Sequence, residues 1–479
     1  KLMSTLQRDF AGGGGVAVVT KGAPDVLVAR CTGERVAGEV RPLAASRRAA
    51  ILAGVDRLAD RALRTLAVAY RPLPDGEDPS ADESLERELV YLGVVGIIDP
   101  PRAEARASIA EARAAGVRVV MITGDHPRTA VRIAADLGIV APGAPALTGT
   151  DLDRLDDFGF AAAVRETSVY ARVTPEHKLR IVDALQADGH VVAMTGDGVN
   201  DAPALRRADI GVAMGRSGTD VTKEAADMIL ADDNFATIVT AVREGRVIFA
   251  NIRKFLRFLL SSNIGEVFTM FFGVVLGGAI GLRTGGGDLS VPLLATQILW
   301  INLLTDAAPA LAMGFDPPAG DVMGRPPRRR SDRVIDTGMW FGIVWVGTVM
   351  AAVTLLALDL RLPGGLIDHS GTVAQARTMA FTTLVLAQLF NCFNARSDRT
   401  SAFSRLFTNP LLWGAVALSV VLQVAAVQVP LLNDAFDTTP LRIGDWLTCV
   451  ALASIVLWAD EAKKAYGRRR RRVRTGVRR

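Results

Sequence analysis

A run of small and acidic residues in the first half of the chain has the composition of a magnesium- and phosphate-handling turn. It reads Met-Thr-Gly-Asp-Gly-Val-Asn-Asp-Ala-Pro from Met194 to Pro203. An apolar strand is predicted to end here, and the two glycines allow a tight turn that directs Asp197 and Asp201 into one pocket. Two carboxylates beside small residues suit Mg²⁺, which takes few protein ligands and keeps several waters. Asn200 can donate a hydrogen bond without adding charge.

Two further elements offer groups to a phosphate. Upstream, Thr123-Gly124-Asp125 also follows an apolar strand, and the Thr123 hydroxyl can donate to a phosphate oxygen. Lys178, in the run Val-Thr-Pro-Glu-His-Lys, can hold a phosphate as a point charge. A single Thr-Gly-Asp turn is weak evidence, because ordinary strand ends carry such residues too. Three such elements on consecutive strand–helix units predict a phosphate-transfer site.

Polar residues inside apolar stretches of the second half predict an ion path. Asn263 and Glu266 are three residues apart and share a predicted helix face, as do Asn302, Thr305 and Asp306 on the next apolar stretch. Ionisable residues within a membrane span are costly and indicate function, although polar groups can also simply join helices. The set offers carboxylates, amides and a hydroxyl without sulfur or imidazole. Such oxygen ligands suit Ca²⁺ better than soft metals.

Pro309 follows Asp306 at a distance of three residues. Proline removes a backbone hydrogen bond and can loosen a helix. An unwound segment exposes carbonyl oxygens, which a membrane tolerates only where the segment lines a cavity. We therefore expect an irregular helix beside Asp306.

On these phosphate-handling turns the chain resembles the P-type ATPases, whose phosphorylation domain is a branch of the haloacid-dehalogenase fold. The resemblance implies catalytic roles for the residues of the three elements: Thr123, Gly124, Asp125, Lys178, Asp197, Asn200 and Asp201. It also implies that ATP and Mg²⁺ are the cofactors. Mg²⁺ would be held at Asp197, and the Thr-Gly-Asp turn at Thr123 would lie beside the nucleotide.

Three more segments resemble the nucleotide site of that family. The run Val-Val-Thr-Lys-Gly-Ala-Pro resembles its nucleotide-binding segment, in which Lys21 and Gly22 would lie by the adenosine. Arg64 resembles the arginine that contacts the ATP phosphates. Asp99-Pro-Pro-Arg102 resembles the hinge motif beside the ATP site.

The polar residues of the apolar half extend the resemblance to calcium pumps. Five of them match, position by position, the Ca²⁺ ligands of sarcoplasmic-reticulum-type pumps: Asn263, Glu266, Asn302, Thr305 and Asp306. Gln388 stands where that pump type has Glu, and plasma-membrane-type calcium pumps have Gln there. The resemblance implies an ATP-driven pump that exports Ca²⁺ from the cytoplasm through an aspartyl-phosphate. Na⁺/K⁺ and H⁺ pumps of the same family remain alternatives.

The elements that must position these residues change in type along the chain. In the first part, strands are predicted at 92–98, 117–122, 191–195 and 209–213, and helices at 103–115, 127–137 and 175–188. Short apolar strands joined by helices indicate a Rossmann-like parallel α/β sheet, with its chemistry at the carboxyl ends of the strands.

In the second part, apolar runs of about 20 residues recur, each long enough to cross a bilayer. Six transmembrane helices are predicted, at 255–280, 291–313, 339–360, 376–394, 411–430 and 443–460. The segments after the second, fourth and sixth are rich in Arg. The positive-inside rule therefore places them, the soluble domains and the C-terminus in the cytoplasm. We expect a multi-pass protein of the plasma membrane, a bacterial inner membrane, in contact with lipid.

Five regions are predicted. They are a partial nucleotide-binding domain (1–90), a haloacid-dehalogenase-like phosphorylation domain (91–246), two membrane helices with the ion-binding residues (247–313), four further membrane helices (314–462) and a basic cytoplasmic tail (463–479). The tail directly follows a membrane helix, so anionic lipid is expected as its partner and nucleic acid is not.

The chain has no Asp-Lys-Thr-Gly-Thr motif, which carries the phosphorylated Asp in the P-type family. We expect that Asp in an upstream segment, or in a separately encoded N-terminal partner, and we expect this chain alone to be inactive. A non-catalytic membrane fragment or split half is therefore an alternative. A membrane-anchored phosphatase of the same fold would lack its nucleophile and would have no use for carboxylates inside the membrane.

Overall fold

The computed structural model describes residues 2–8, 15–61, 63–74, 85–97, 102–278, 282, 291–318, 320–328, 332–367 and 371–476. The chain forms two compact units. One comprises Lys1–Ala241 with Met323–Arg330, and the other comprises Val242–Val322 with Ser331–Arg479. Asp99, predicted in the hinge motif, lies outside the described residues.

The first unit begins with a six-stranded sheet in the order β1-β2-β5-β6-β3-β4. Its strands are β1 (Leu2–Arg8), β2 (Val16–Gly22), β3 (Cys31–Val36), β4 (Glu39–Pro42), β5 (Arg64–Pro72) and β6 (Leu89–Ile97). Neighbouring strands are antiparallel except β3 and β6. Helices α1 (Pro24–Ala29) and α2 (Ala45–Ala59) contribute Leu27 and Ile51 to an apolar core with Ala67 of β5.

Two three-stranded parallel sheets follow in the same unit, in the orders β7-β9-β8 and β10-β11-β12. Their strands are β7 (Met121–Thr123), β8 (Leu147–Thr148), β9 (Val169–Ala171), β10 (Ala193–Gly196), β11 (Ile210–Met214) and β12 (Met228–Leu230). Seven helices are interspersed: α3 (Ala103–Ala114), α4 (Pro127–Asp136), α5 (Gly149–Asp153), α6 (Asp157–Glu166), α7 (Pro175–Ala187), α8 (Ala202–Arg207) and α9 (Asp220–Ala225). This alternation confirms the predicted parallel α/β class.

Two of the predicted strands differ from the structure. The strand predicted at 117–122 is reduced to Met121–Thr123. The strand predicted at 92–98 forms as β6, but its assignment to a parallel sheet was wrong, because it pairs antiparallel with β5 in the six-stranded sheet. The reason is the core: Leu89 and Tyr91 pack against residues of β5, which lies beside them. The first sheet therefore continues beyond residue 90.

The second unit is helical. Its elements are α10 (Phe235–Val275, which belongs to this unit from Val242 onward), α11 (Ala295–Trp300), a π-helical turn (Ile301–Thr305), α12 (Ala307–Gly314), α13 (Thr337–Asp359), α14 (Val373–Ala395), α15 (Pro410–Gln428), α16 (Pro430–Phe436) and α17 (Ile443–Gly476). In the part of the chain that the structure describes, four helices are long and apolar enough to cross a membrane: Phe235–Val275, Thr337–Asp359, Pro410–Gln428 and Ile443–Arg470.

The other two predicted membrane helices, at 291–313 and 376–394, are not among these four. The first is divided into α11, the π-helical turn and α12, so no single helix is long enough. The second forms as α14, but Thr, Gln and Asn side chains lower its hydropathy. Most of α14 is nevertheless buried, and Phe381 and Leu384 lie in the largest apolar core of the unit.

Candidate functional site

Lys21 and Arg64 project from the same face of the six-stranded sheet. Lys21 on β2 is paired with Val68 on β5, and Arg64 precedes Val68 by four residues on that strand. Cross-strand partners point to the same face of a sheet, and so do residues two or four apart on one strand. Lys21 and Arg64 therefore share a face, and the four-residue spacing of Arg64 and Val68 separates the two cations by about 14 Å along β5. Gly22 is paired with Ala67, which is buried on the opposite face. The spacing allows one extended nucleotide to reach both exposed cations.

Thr123 and Asp125 form a self-contained turn at the carboxyl end of β7. The Thr123 hydroxyl donates to the Asp125 carboxylate over 3.1 Å, and the Asp125 backbone N–H donates to the Thr123 hydroxyl oxygen, also over 3.1 Å. Gly124 is exposed between them, and α4 begins at Pro127. The Thr123 hydroxyl therefore lies at the strand end, where it donates to Asp125.

Lys178 and Asp201 form an ion pair between α7 and the turn after β10. The second oxygen of the Asp201 carboxylate accepts the Gly198 backbone N–H over 3.2 Å. A Cβ atom on Gly196 would collide with the Asp201 side chain, so this position requires glycine. Asp201 is buried and both of its oxygens are used by the protein. It therefore supports the turn, whereas the sequence suggested that it faces Mg²⁺ together with Asp197.

A buried histidine that we did not select from the sequence fixes the start of α7, the helix that carries Lys178. The His177 ring contacts the Thr174 hydroxyl over 2.9 Å and the Asp153 carboxylate over 2.8 Å. Thr174 is also the N-cap of α7, so these contacts fix the first turn of the helix. The signal in the sequence was the Thr-Pro-Glu-His start of α7, which resembles a capping box.

Asp197 and Asn200 are exposed on the turn after β10. The Asp197 backbone carbonyl accepts the Thr219 N–H over 3.1 Å. No hydrogen bond to its carboxylate occurs among the described residues, and they contain no group of three or more His, Cys, Asp or Glu that could hold a metal ion. A single exposed carboxylate fits Mg²⁺, which binds through one or two carboxylates plus substrate oxygens and water.

The glycine-rich loop after β11 supports this turn and was also missed. The Arg216 and Ser217 backbone N–H groups donate to the Asp233 carboxylate over 2.9 and 2.8 Å. These hydrogen bonds, that of Arg216 first, lower the pKa of Asp233 to about 2. Thr219, at the end of the same loop, then reaches Asp197. The run Met-Gly-Arg-Ser-Gly-Thr was the available sequence signal.

Hydrogen bonds and ion pairs thus connect the predicted phosphate-handling residues only in part. Lys178 is joined to Asp201, and Thr123 is joined to Asp125. Within the described ranges, no such contact joins one pair to the other.

In the helical unit, Asp306 directly follows a π-helical turn. Its N–H donates to the Ile301 carbonyl over 3.0 Å, five residues earlier. Pro309 has no N–H to offer the Thr305 carbonyl, which instead accepts the Ser419 hydroxyl over 2.9 Å. The irregular helix expected beside Asp306 is therefore confirmed.

Glu266 on α10 is held by two amides. Its carboxylate accepts Nε2 of Gln388 over 2.9 Å and Nδ2 of Asn302 over 2.8 Å. The neighbouring Gly265 lies against α13, where Gly347 meets α10, and a Cβ atom on either glycine would contact the other helix closely. Three of the six predicted ion-path residues, from three different helical segments, therefore meet.

Among the described residues, several buried oxygens around this group have no hydrogen-bond partner in normal geometry. They are both carboxylate oxygens of Asp306, the Ser262 hydroxyl and Oε1 of Gln388. The Ser262 hydroxyl nevertheless lies close enough to interact with the Asp306 carboxylate, and Glu266 lies close enough to repel it. An unpartnered buried polar group costs about 1–3 kcal/mol, and more if it is charged. The arrangement is therefore suited to a cation that accepts several oxygen ligands.

Two predicted ligands differ from expectation. Asn263 is exposed, whereas Ser262 is completely buried. Asn263 precedes Glu266 by three residues and Ser262 precedes it by four, so both lie near the helix face of Glu266. The packing of α10 turns Ser262 inward and leaves Asn263 exposed. Thr305 is buried, but its hydroxyl donates to the Ile301 carbonyl over 3.1 Å. Ser262 is a buried polar residue near Glu266 that the sequence analysis did not select.

A buried ionic cluster lies beyond α12. Asp316 accepts Lys254 Nζ over 2.6 Å, Arg396 Nε over 3.0 Å and Asn409 Nδ2 over 3.2 Å. Burial raises the pKa of the Asp316 carboxyl, but hydrogen bonds from Lys254 and Arg396 outweigh it, so the pKa lies below its usual range. The cluster ties the segment after Asp306 to α10, α14 and the start of α15.

Three family models match consecutive parts of the chain. Residues 1–104 match the P-type ATPase cytoplasmic domain N, residues 179–242 match haloacid dehalogenase-like hydrolases, and residues 290–466 match the C-terminus of cation transporting ATPases.

Curated relatives agree with these matches. A calcium-transporting ATPase of Bacillus subtilis is 46% identical over 91% of this chain and 47% of its own length. Calcium-transporting ATPase 1 of Bacillus cereus is 41% identical over 93% of this chain and 50% of its own length. The probable cation-transporting ATPase F of Mycobacterium tuberculosis is 40% identical over 95% of this chain and 48% of its own length. The chain spans about half the length of the curated relatives it matches.

Proposed function

We propose that this chain, which belongs to the P-type cation-transporting ATPases, is the C-terminal part of an ATP-driven pump that exports Ca²⁺ from the cytoplasm. The Asp that is phosphorylated in the cycle lies outside this chain. The chain supplies the ion path, part of the nucleotide site and the groups around the transferred phosphate.

The main support for a cation as the transported ligand is the set of buried oxygens around Asp306 that have no hydrogen-bond partner in normal geometry among the described residues. A buried carboxylate without a donor is costly, so it is retained where a ligand compensates it. The surrounding groups are a carboxylate, a hydroxyl and amides, which are ligands of hard cations. The two relatives from Bacillus are calcium-transporting ATPases, which supports Ca²⁺ over Na⁺, K⁺ and H⁺.

Glu266 and Gln388 would complete the ligand shell together with Asn302, which is exposed but contacts Glu266. The two amides donate to Glu266 in the structure, and each can present its carbonyl oxygen to a cation by rotation of the amide group. Exposed Asn263 would take part only if α10 rotates, so we assign Ser262 to the shell in its place.

For the phosphate chemistry we assign separate roles to the exposed and the paired residues. Asp197 would hold Mg²⁺, which neutralises phosphate charge when it is bound. The Thr123 hydroxyl, which donates to Asp125 in the structure, would turn its proton to the phosphate when phosphate binds. Lys178, positioned by Asp201, would contact the phosphate as a point charge. Lys21 and Arg64, on one sheet face, would bind the two ends of ATP; exposed Arg102 would lie beside the nucleotide.

We further propose six membrane helices, with the segment Ala295–Gly314 and α14 added to the four apolar ones. A helix that is broken beside a binding site is tolerated in a membrane when it lines a cavity, and a helix as buried as α14 does not need apolar residues on every side. The arginine-rich segments place the first unit and the C-terminus in the cytoplasm. The membrane would be the plasma membrane of a bacterium.

Direct cation binding tests the proposal. The purified chain in neutral detergent is titrated with Ca²⁺ in a calorimeter, and with Mg²⁺, Na⁺ and K⁺ for comparison. We expect Ca²⁺ to bind most tightly. Asp306→Asn should weaken Ca²⁺ binding by at least about tenfold, or about 1.4 kcal/mol, because it removes one charge from the centre of the ligand shell.

Thr354→Val is the matched control, because Thr354 is also a buried residue with an unpartnered oxygen, but lies on α13. Its Ca²⁺ affinity should equal that of the unmodified chain. Ca²⁺ binding that survives Asp306→Asn would contradict the assigned site. Tighter binding of Na⁺ or K⁺ would favour a pump for those ions.

A further inference from the structure

The basic residues around the C-terminal end of the last long helix fall into two groups. The first group is buried or half-buried and paired with carboxylates. Arg396 contacts Asp316 over 2.8 Å, and Lys464 contacts Asp460 over 2.9 Å. Lys463 also pairs with Asp460. These cations are neutralised within the protein.

The second group is exposed. Arg399, Arg468, Arg469 and Arg470 have no carboxylate within 4 Å among the residues that the structure describes. Arg468 only donates to the Arg399 carbonyl, over 3.1 Å, and Arg470 lies 5.7 Å from the ring centre of Tyr466. Their charges therefore have no counterion within the described part of the chain.

Three contacts hold the segment 399–403 antiparallel to α17. From the C-terminal end of the helix these contacts join Arg399 to Arg468, the Ala402 N–H to the Glu461 carboxylate over 2.8 Å, and the Phe403 ring to the Trp458 ring with centres 5.7 Å apart. The result is one surface with cations at one end and two aromatic rings at the other. We call it the Arg399–Trp458 face.

Both aromatic rings of this face are open to the surroundings, with Phe403 48% exposed and Trp458 60% exposed. Along α17, Trp458 and Arg468 are separated by about 15 Å. Long arginine side chains can extend back along a helix toward a polar boundary. The face therefore has the polarity of a membrane interface, where Trp lies at the level of the lipid headgroups.

We propose that the Arg399–Trp458 face binds the phosphate of an anionic phospholipid headgroup, with the acyl chains against Phe403 and Trp458. Guanidinium groups bind phosphate through paired hydrogen bonds, and the aromatic rings supply the apolar contact. The inference rests on the proposed insertion of α17 in the membrane. The two exposed rings argue for a lipid instead of a free phosphate ion, which would have no use for them.

Quenching of tryptophan fluorescence by brominated lipids tests the proposal. The full chain is reconstituted in vesicles of phosphatidylcholine that contain a small fraction of either brominated phosphatidylglycerol or brominated phosphatidylcholine. We expect stronger quenching by phosphatidylglycerol. Each neutralised arginine should weaken the preference by roughly fivefold, so R399Q/R468Q/R469Q should lose it.

The matched control, R57Q/R106Q/R154Q, removes three exposed charges from the first unit and should keep the preference. Equal quenching of the unmodified chain by the two lipids would overturn the proposal, as would a preference that survives in the triple variant. Loss of the preference on adding inorganic phosphate at constant ionic strength would indicate an ion site instead of a lipid site.

Two further measurements make the outcome independent of the variant's folding and of the pump proposal. In the unmodified chain, the preference for phosphatidylglycerol should fall as salt is raised from about 0.05 to about 0.5 M; an unchanged preference would overturn the assignment to arginines. Ca²⁺ binding is measured on the same samples and should not depend on the lipid, so failure of either proposal is recognised separately.

Discussion

The carboxylates of the α/β unit and those of the helical unit have opposite surroundings. At the strand ends, Asp197 is exposed and Asp201 is neutralised by Lys178. In the helical unit, Asp306 is buried, and among the described residues no donor reaches either of its oxygens in normal hydrogen-bond geometry. Water or the Lys178 ammonium satisfies the first group, whereas the oxygens of the second group are available to a further ligand.

Asp316 shows that burial alone does not mark a binding site. It is nearly as buried as Asp306, but Lys254, Arg396 and Asn409 all donate to it. A buried charge with a complete set of partners holds the fold together, whereas a buried charge without partners indicates a ligand. The difference between Asp316 and Asp306 can be tested by the same substitution at both positions.

The largest expected effect on stability is that of Asp316→Asn. The variant leaves Lys254 and Arg396 buried without their shared carboxylate, which should lower the free energy of unfolding by about 3–5 kcal/mol. Denaturant unfolding of the chain in detergent measures this loss. Asp434→Asn, an exposed substitution in the same unit, should change stability by no more than about 0.5 kcal/mol.

Asp306→Asn is the counterpart of Asp316→Asn, and its free energy of unfolding is measured in the presence of a chelator that removes bound cations. The described residues show no ion pair at Asp306, and Asn keeps an oxygen that can accept from Ser262, so this variant should be at least as stable as the unmodified chain. A loss as large as that of Asp316→Asn would show that Asp306 has a structural partner, and the distinction between the two buried carboxylates would fail.

An intermediate effect is expected at the strand ends. Lys178→Met leaves Asp201 with only the Gly198 N–H as a donor, which should cost about 1–3 kcal/mol in the unfolding of the first unit. Lys223→Met removes a lysine of α9 for which the described residues show no ion pair, and serves as the control. Equal stability of the two variants would mean that the Lys178–Asp201 pair is not part of the framework.

The smallest effect concerns Asp233. Its pKa of about 2 lies below the value of about 3.9 expected in an unfolded chain. The Asp233 carboxylate therefore takes up a proton less readily in the folded chain than in the unfolded chain. Asp233 stabilises the first unit above about pH 4, and this contribution is lost as the pH falls toward 2. In Asp233→Ala, the free energy of unfolding of the unit should fall less steeply as the pH is lowered from about 4 to about 2. Asp157→Ala, at an exposed helix start, should leave the steepness unchanged.

Sequence reasoning succeeded where the signal was local. Strand ends at Thr123 and Asp197, the irregular helix before Pro309 and the oxygen chemistry around Glu266 all follow from residue types over a few positions. These features depend on backbone geometry and on the polarity of neighbouring side chains, which a short stretch of sequence specifies.

What only the tertiary structure decided involves partners far apart in the chain. The rotation of α10 that buries Ser262 and exposes Asn263 depends on packing, including the contact between Gly265 and α13. The pairing of β6 with β5 depends on a core shared with α1 and α2. The sequence by itself determined which side chains could bind an ion or a phosphate. Folding decided which of them are buried and unpartnered, because burial and partners are set by distant segments that short-range patterns do not contain.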